Sequence, residues 1–181
     1  MTVRRFLLSV ATVLTALLVQ SAVLTRLPLP GGAPDLLLVL VVAYALTEGP
    51  LSGTVTGFCA GLLADLMADH ELGRTALVLA LVGYVAGLVH DDPGYGGSGE
   101  RSTLLPFAVV GLAAAGAVTV FAAEGLLLGD PRITASAWLT AMLATTAYCV
   151  LLTPFVVPVV GALVRRVGRD PLRGRTVRLD R

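Results

Sequence analysis

Four carboxylates stand inside or at the ends of apolar runs in this 181-residue chain: Asp35, Glu48, Asp65 and Glu124. An ionisable group so placed is expensive in lipid and ordinarily faces protein or water. It could handle a proton, hold a ligand, or cap and tie a helix. Asp65 has the most telling surroundings. It ends a series in which Gly49, Gly53, Gly57 and Gly61 recur every four residues, and Asp69 continues the spacing. Positions four apart share a helix face, so the series describes a ridge without side chains that runs into a charge. One reading makes Asp65 a proton or ligand site. The other makes it an interfacial residue, hydrogen-bonded to a neighbouring helix or to Arg74. Asp35 follows Pro34 and opens an apolar run, where a carboxylate caps free N–H groups and suits the helix dipole. Glu124 precedes a further Gly-xxx-Gly step, Gly125 to Gly129, with Arg132 as its expected partner.

Other chemistries find little support. His70 and His90 are the only histidines and fall on opposite sides of a membrane in the topology below. They offer no metal-ligand spacing. The chain has no nucleophile triad order, HExxH, phosphate loop or paired-cysteine motif. Cys59 and Cys149 lie inside apolar runs and read as small apolar fillers. The expectation is a protein that is not an enzyme, with no cofactor, metal or nucleic-acid partner.

The elements that position these residues are membrane helices. The chain is 56% hydrophobic and 14% charged, with mean hydropathy +0.86, where soluble domains carry about 25% charged residues. In water the glycine ridge would cost a helix about 1 kcal/mol per residue relative to Ala. In lipid, small residues at this spacing let helices approach closely. Gly83 and Gly87 form a second such face. Apolar runs lie near residues 6–25, 35–48, 50–68, 74–90, 104–128 and 135–164. They predict an all-α integral membrane protein of about six transmembrane helices, one helical domain over 1–164 and a basic tail over 165–181. A cleaved signal peptide competes for the first run, but no small-residue cleavage site follows it. The second and third runs are short for a ~30 Å core. They either span with charged ends sheltered in protein or form a re-entrant hairpin about a tight turn at Glu48-Gly49-Pro50. Asp91 to Thr103 separates two halves. Pro154 and Pro158 are expected to kink or end the last helix. Ten arginines fall on the side of the termini and three (Arg26, Arg74 and Arg132) on the other. That bias places both termini in the cytoplasm.

The middle of the chain resembles a known family. Pro34-Asp35-Leu36-Leu37, then Gly49, Gly57-Phe58 and Gly61-Leu62-Leu63 with Asp65, then Leu72-Gly73, Ala76-Leu77, Gly83-Tyr84 and Gly87 together look like the rod shape-determining protein MreD. The resemblance covers roughly residues 30 to 90. It implies a bacterial inner-membrane protein of the cell-wall elongation machinery, a family for which no catalytic activity is established. It also implies a fold related to the six-helix substrate-binding subunits of energy-coupling-factor transporters. The implied partners are MreC, the actin-like MreB, and the glycan-polymerising and cross-linking enzymes. The acidic, glycine-rich start of the central linker departs from the basic loop expected on the cytoplasmic side.

Two functions follow. A scaffold would recognise membrane partners through Gly49, Gly53, Gly57, Gly61, Gly83 and Gly87, with Asp35 and Asp65 as polar fixing points. A transporter component would bind a small ligand near the outer half of the membrane. A lipid-facing groove or free glycine ridge marks the first, a polar-lined pocket the second. Membrane lipid is a partner in either case, with the arginine-rich tail facing anionic headgroups.

Overall fold

The computed structural model describes residues 3–24, 29–67, 72–90, 104–129 and 134–168. Among these residues the chain is all-helical: α1 (Val3–Ala22), α2 (Leu36–Glu48), α3 (Pro50–Met67), α4 (Arg74–Gly87), α5 (Leu105–Leu127) and α6 (Ala135–Gly168). Three helices, α3, α5 and α6, are long and apolar enough to cross a membrane. The apolar part of α1 (Leu7–Ala22), α2 and α4 are shorter. His70, the linker 91–103, Arg26, Arg132, Asp69 and the tail beyond Gly168 lie outside the described residues.

α2 is the core. Its sequence LLLVLVVAYAL is apolar on every face, and such a helix must be covered all round. Leu37 through Ala45 are all buried, and α2 touches each of the other five helices. At 13 residues it is about 20 Å long. Tyr44 is fully buried, and its hydroxyl meets Thr12 Oγ1 of α1 at 2.8 Å.

The turn after α2 corrects the sequence reading of Gly49. This residue is not on the helical ridge. It closes α2 with φ +89°, its N–H donating to the Ala45 carbonyl, and Pro50 then begins α3. A positive φ favours glycine, and proline suits the first helical position. The ridge proper begins at Gly53.

α6 narrows a second expectation. It runs through Pro154 and Pro158 to Gly168, so of the two outcomes expected of the prolines, a kink or an end, the end does not occur. Neighbouring helices and the Thr153 hydroxyl, which donates to the Cys149 carbonyl at 2.9 Å, hold the turn before Pro154. Membrane helices tolerate proline under such support. Arg165 and Arg166 occupy the last turn, the favourable end of the dipole for cations.

Candidate functional site

The glycines of α3 and α4 build one seam. These two helices form the most intimate pair in the fold. A Cβ at Gly57 would fall on the Leu79 carbonyl, one at Gly61 on the Thr75–Ala76 backbone, and one at Gly53 on the Gly83 carbonyl oxygen and the Ala45 methyl. From the other side, a Cβ at Gly83 would meet the Gly53 carbonyl and one at Gly87 the Gly49–Pro50 backbone. The helices therefore touch backbone to backbone along four turns. Each step of four along α3 is answered by a step of three or four back along α4.

Steps of four drift by about 40° each on a helix of 3.6 residues per turn, which on a straight helix would turn Gly53 and Asp65 toward different neighbours. Instead α4 follows the ridge throughout, from Gly87 beside Gly49 to Gly73 beside Asp65. Packed helices coil about one another and absorb the drift of a four-residue repeat. The ridge belongs to the α3–α4 pair more than to the α2–α3 hairpin.

Asp65 is the lock at the end of this seam. It is 2% exposed. Its carboxylate accepts from the N–H groups of Gly73 (2.9 Å), Thr75 (3.2 Å) and Ala76 (3.3 Å). Those are the orphan donors of the first turn of α4, which has no cap of its own because its N-cap residue is Gly73. A carboxylate from α3 thus replaces the missing cap and meets the positive end of the dipole.

Asp65 takes no ion pair from Arg74. Arg74 Nε lies 2.6 Å from Glu124 Oε2, and Nη2 donates to the Phe121 carbonyl at 3.0 Å. The guanidinium also stands 5.2 Å over the Phe121 ring. Glu124 is therefore the partner of Arg74 and ties α5 to α4. The expected partner Arg132 lies outside the described residues.

Asp35 caps α2, its Oδ1 accepting from the Leu38 N–H at 3.1 Å. Gln20 of α1 adds a second grip. Its Oε1 accepts from the Leu37 N–H at 3.1 Å, and its side chain hydrogen-bonds Asp35. Sequence reasoning missed Gln20, although a lone amide inside the apolar run of α1 was its visible signal. At the opposite end of the bundle, His90 Nδ1 lies 2.8 Å from the Leu46 carbonyl, among the last carbonyls of α2. Glu48 Oε2 there accepts from the Ser52 hydroxyl at 2.6 Å. Both cysteines are free thiols. Among the described residues no His, Cys, Asp or Glu group is placed to hold a metal.

Two kinds of opening result. Gln20, Asp35, Asp65, Arg74, Thr75 and Phe121 border a polar cavity of about 360 Å³ where α1, α2, α3, α4 and α5 meet. Between α4 and α5 lies an apolar groove of about 270 Å³, with Val82 and Val85 on one wall and Ala113, Gly116 and Ala117 on the other. A Cβ at Gly116 would meet nothing within 4 Å. The glycines of the α3 and α4 faces, Gly53, Gly57, Gly61, Gly83 and Gly87, are thus spent inside the fold, whereas Gly116 of α5 is open.

Fold and site together define a helical membrane protein, built on a buried central helix and a cap-locked glycine seam. The family model for rod shape-determining protein MreD matches residues 1–92, which is α1 through α4 with every glycine and carboxylate of the seam. The chain belongs to this family, whose role is the determination of rod shape. No curated protein and no solved structure matches the chain.

Proposed function

We propose that this protein is a non-catalytic membrane component of the peptidoglycan elongation machinery, acting by helix–helix recognition of partners within the bilayer. All six helices cross the membrane in this reading, with both termini cytoplasmic. The arginine distribution supports that orientation. The alternation of the helices gathers Asp35, Asp65 and Glu124 at one end, in keeping with successive crossings. That end would face outward. A relation to the six-helix substrate-binding subunits of energy-coupling-factor transporters belongs to the same reading.

The observation that carries the proposal is the apolar α4–α5 groove with Gly116 open in its wall. Small residues let a foreign helix approach closely in lipid, and the glycine faces of α3 and α4 are already occupied by each other. A bitopic partner such as MreC would enter here, bringing MreB and the glycan-polymerising and cross-linking enzymes into the same assembly. Gly116→Leu tests this directly. The variant should fold normally yet lose its co-purifying membrane partner and fail to maintain rod shape. Unchanged co-purification would remove the groove from consideration.

The polar cavity favours a second reading, a small-ligand site of a transporter-like component. Against it, Asp35, Asp65, Arg74 and Gln20 all have partners inside the chain. These bonds serve to hold helix ends. A ligand retained through purification and lost in Arg74→Gln, with the fold intact, would move the balance to this reading.

A further inference from the structure

We infer that the slot between α1 and α6 is a binding site for one anionic phospholipid, its acyl chain in the slot and its phosphate at the arginine-bearing end. The slot holds about 530 Å³ and is the largest of the openings described. Leu8, Ala11 and Thr15 line it from α1, Val159 and Leu163 from α6, and Leu40 of α2 forms its floor. Twelve residues of α1, Leu8 to Val19, run along it, which is about 16 Å of helix.

The lining offers an occupant nothing polar to recognise. The Thr15 hydroxyl donates to the Ala11 carbonyl at 2.8 Å, and Thr12 Oγ1 is engaged with the Leu8 carbonyl and Tyr44. A partner helix gains specificity in lipid from small faces and interhelical hydrogen bonds. Here the hydroxyls are turned inward, and the α6 wall is bulky, with Phe155 and Val159 more than half exposed. An alkyl chain needs only apolar surface and length.

Charge complementarity selects the headgroup. Phe155, Val159, Leu163 and Arg166 follow one another at steps of four, four and three, so they share one face of α6. Arg166 is exposed and stands directly beyond the slot. On α1, Arg4 occupies the position one turn before Leu8 and Arg5 the next. The apolar slot therefore opens, at this end, among arginine positions on both of its walls. Guanidinium groups pair with phosphate in bidentate fashion, and basic pockets between helices on the cytoplasmic side take anionic headgroups. Arg165 is differently placed. Its guanidinium folds back beside Gly161, where Nη1 would lie 3.1 Å from a Cβ, on a helix face turned from the slot.

Native mass spectrometry of the full chain in detergent tests the site, with dioleoylphosphatidylglycerol and dioleoylphosphatidylcholine as probes. One phosphatidylglycerol should bind at least fivefold more tightly than phosphatidylcholine. Arg166→Gln should remove most of that preference, while Arg165→Gln should leave it within twofold. Ala11→Phe, at an exposed position inside the slot, should weaken both lipids with helix content unchanged. Equal binding of the two lipids overturns the inference. So does an equal effect of Arg165→Gln and Arg166→Gln, which would mean diffuse attraction to a basic tail, or retention of lipid by Ala11→Phe. None of these readouts involves the α4–α5 groove, so this inference and the partner reading can fail independently.

Discussion

Adding one methyl group at Gly57 should separate α3 from α4, and the cost can be worked from the geometry. The new Cβ in Gly57→Ala would land on the Leu79 carbonyl and crowd the Ala80 nitrogen at 3.1 Å. These are backbone atoms and have no rotamer to retreat to, so the helices must move apart along the seam. Overpacking of this kind costs about 1–3 kcal/mol. Replacing glycine by alanine inside a helix returns up to about 1 kcal/mol of propensity. The expected net loss is about 1–2 kcal/mol, which corresponds to several degrees in Tm for a chain of this size. Gly116→Ala is the matched control, because its Cβ meets nothing within 4 Å and only the propensity gain remains. It should be neutral or slightly stabilising. Thermal unfolding of both variants in one detergent, followed by circular dichroism, gives the comparison. If Gly57→Ala melts with or above Gly116→Ala, the backbone-to-backbone seam is not what holds this pair.

Asp65→Asn should be much milder than Asp65→Leu. Asn keeps a carbonyl oxygen for the α4 N–H groups, whereas Leu leaves up to three of them buried and unpaired, at about 1–3 kcal/mol each; limited proteolysis near α4 distinguishes the two, and equally complete loss from both would point to a role for the charge itself. Gly49→Ala should destabilise by about 1–2 kcal/mol through its φ of +89° alone, since the nearest outside atom, His90 Cδ2, lies at an ordinary 3.4 Å; a Tm equal to the parent protein would show that the turn can relax. A double-mutant cycle on Arg74→Gln and Glu124→Gln should return a coupling of only about 0.5–1 kcal/mol, because both side chains are 28% exposed. A coupling near zero in thermal melts would mean that the pair does not tie α5 to α4.

The membrane character, the succession of helices and the turn at Glu48-Gly49-Pro50 were legible along the chain, because hydropathy and turn chemistry are local properties. The capping role open to Asp35 was legible for the same reason, since a cap acts within three residues of itself. The neighbour of the ridge was not. Four-residue spacing says that a face is smooth, but it does not say which helix lies on it. Nor was Arg74 legible as a partner of Glu124, which it reaches across fifty positions. That the prolines of α6 would not end the helix was hidden for a related reason. They remove hydrogen bonds locally, and what sustains the helix is the support around it.

Composition alone thus determined that the chain belongs in a bilayer, and spacing alone determined that some of its helices must pack without side chains between them. Tertiary structure decided how those features are spent. It placed α2 at the centre, used the glycines of α3 on α4, and turned Asp65 into the missing cap of another helix. Each of these is a pairing between distant segments, set by shape and by unsatisfied backbone donors that exist only once the helices meet. The openings left over, at Gly116 and between α1 and α6, are likewise properties of the packed bundle, which is why the series that ends in Asp65 could not by itself say where a partner or a lipid would sit.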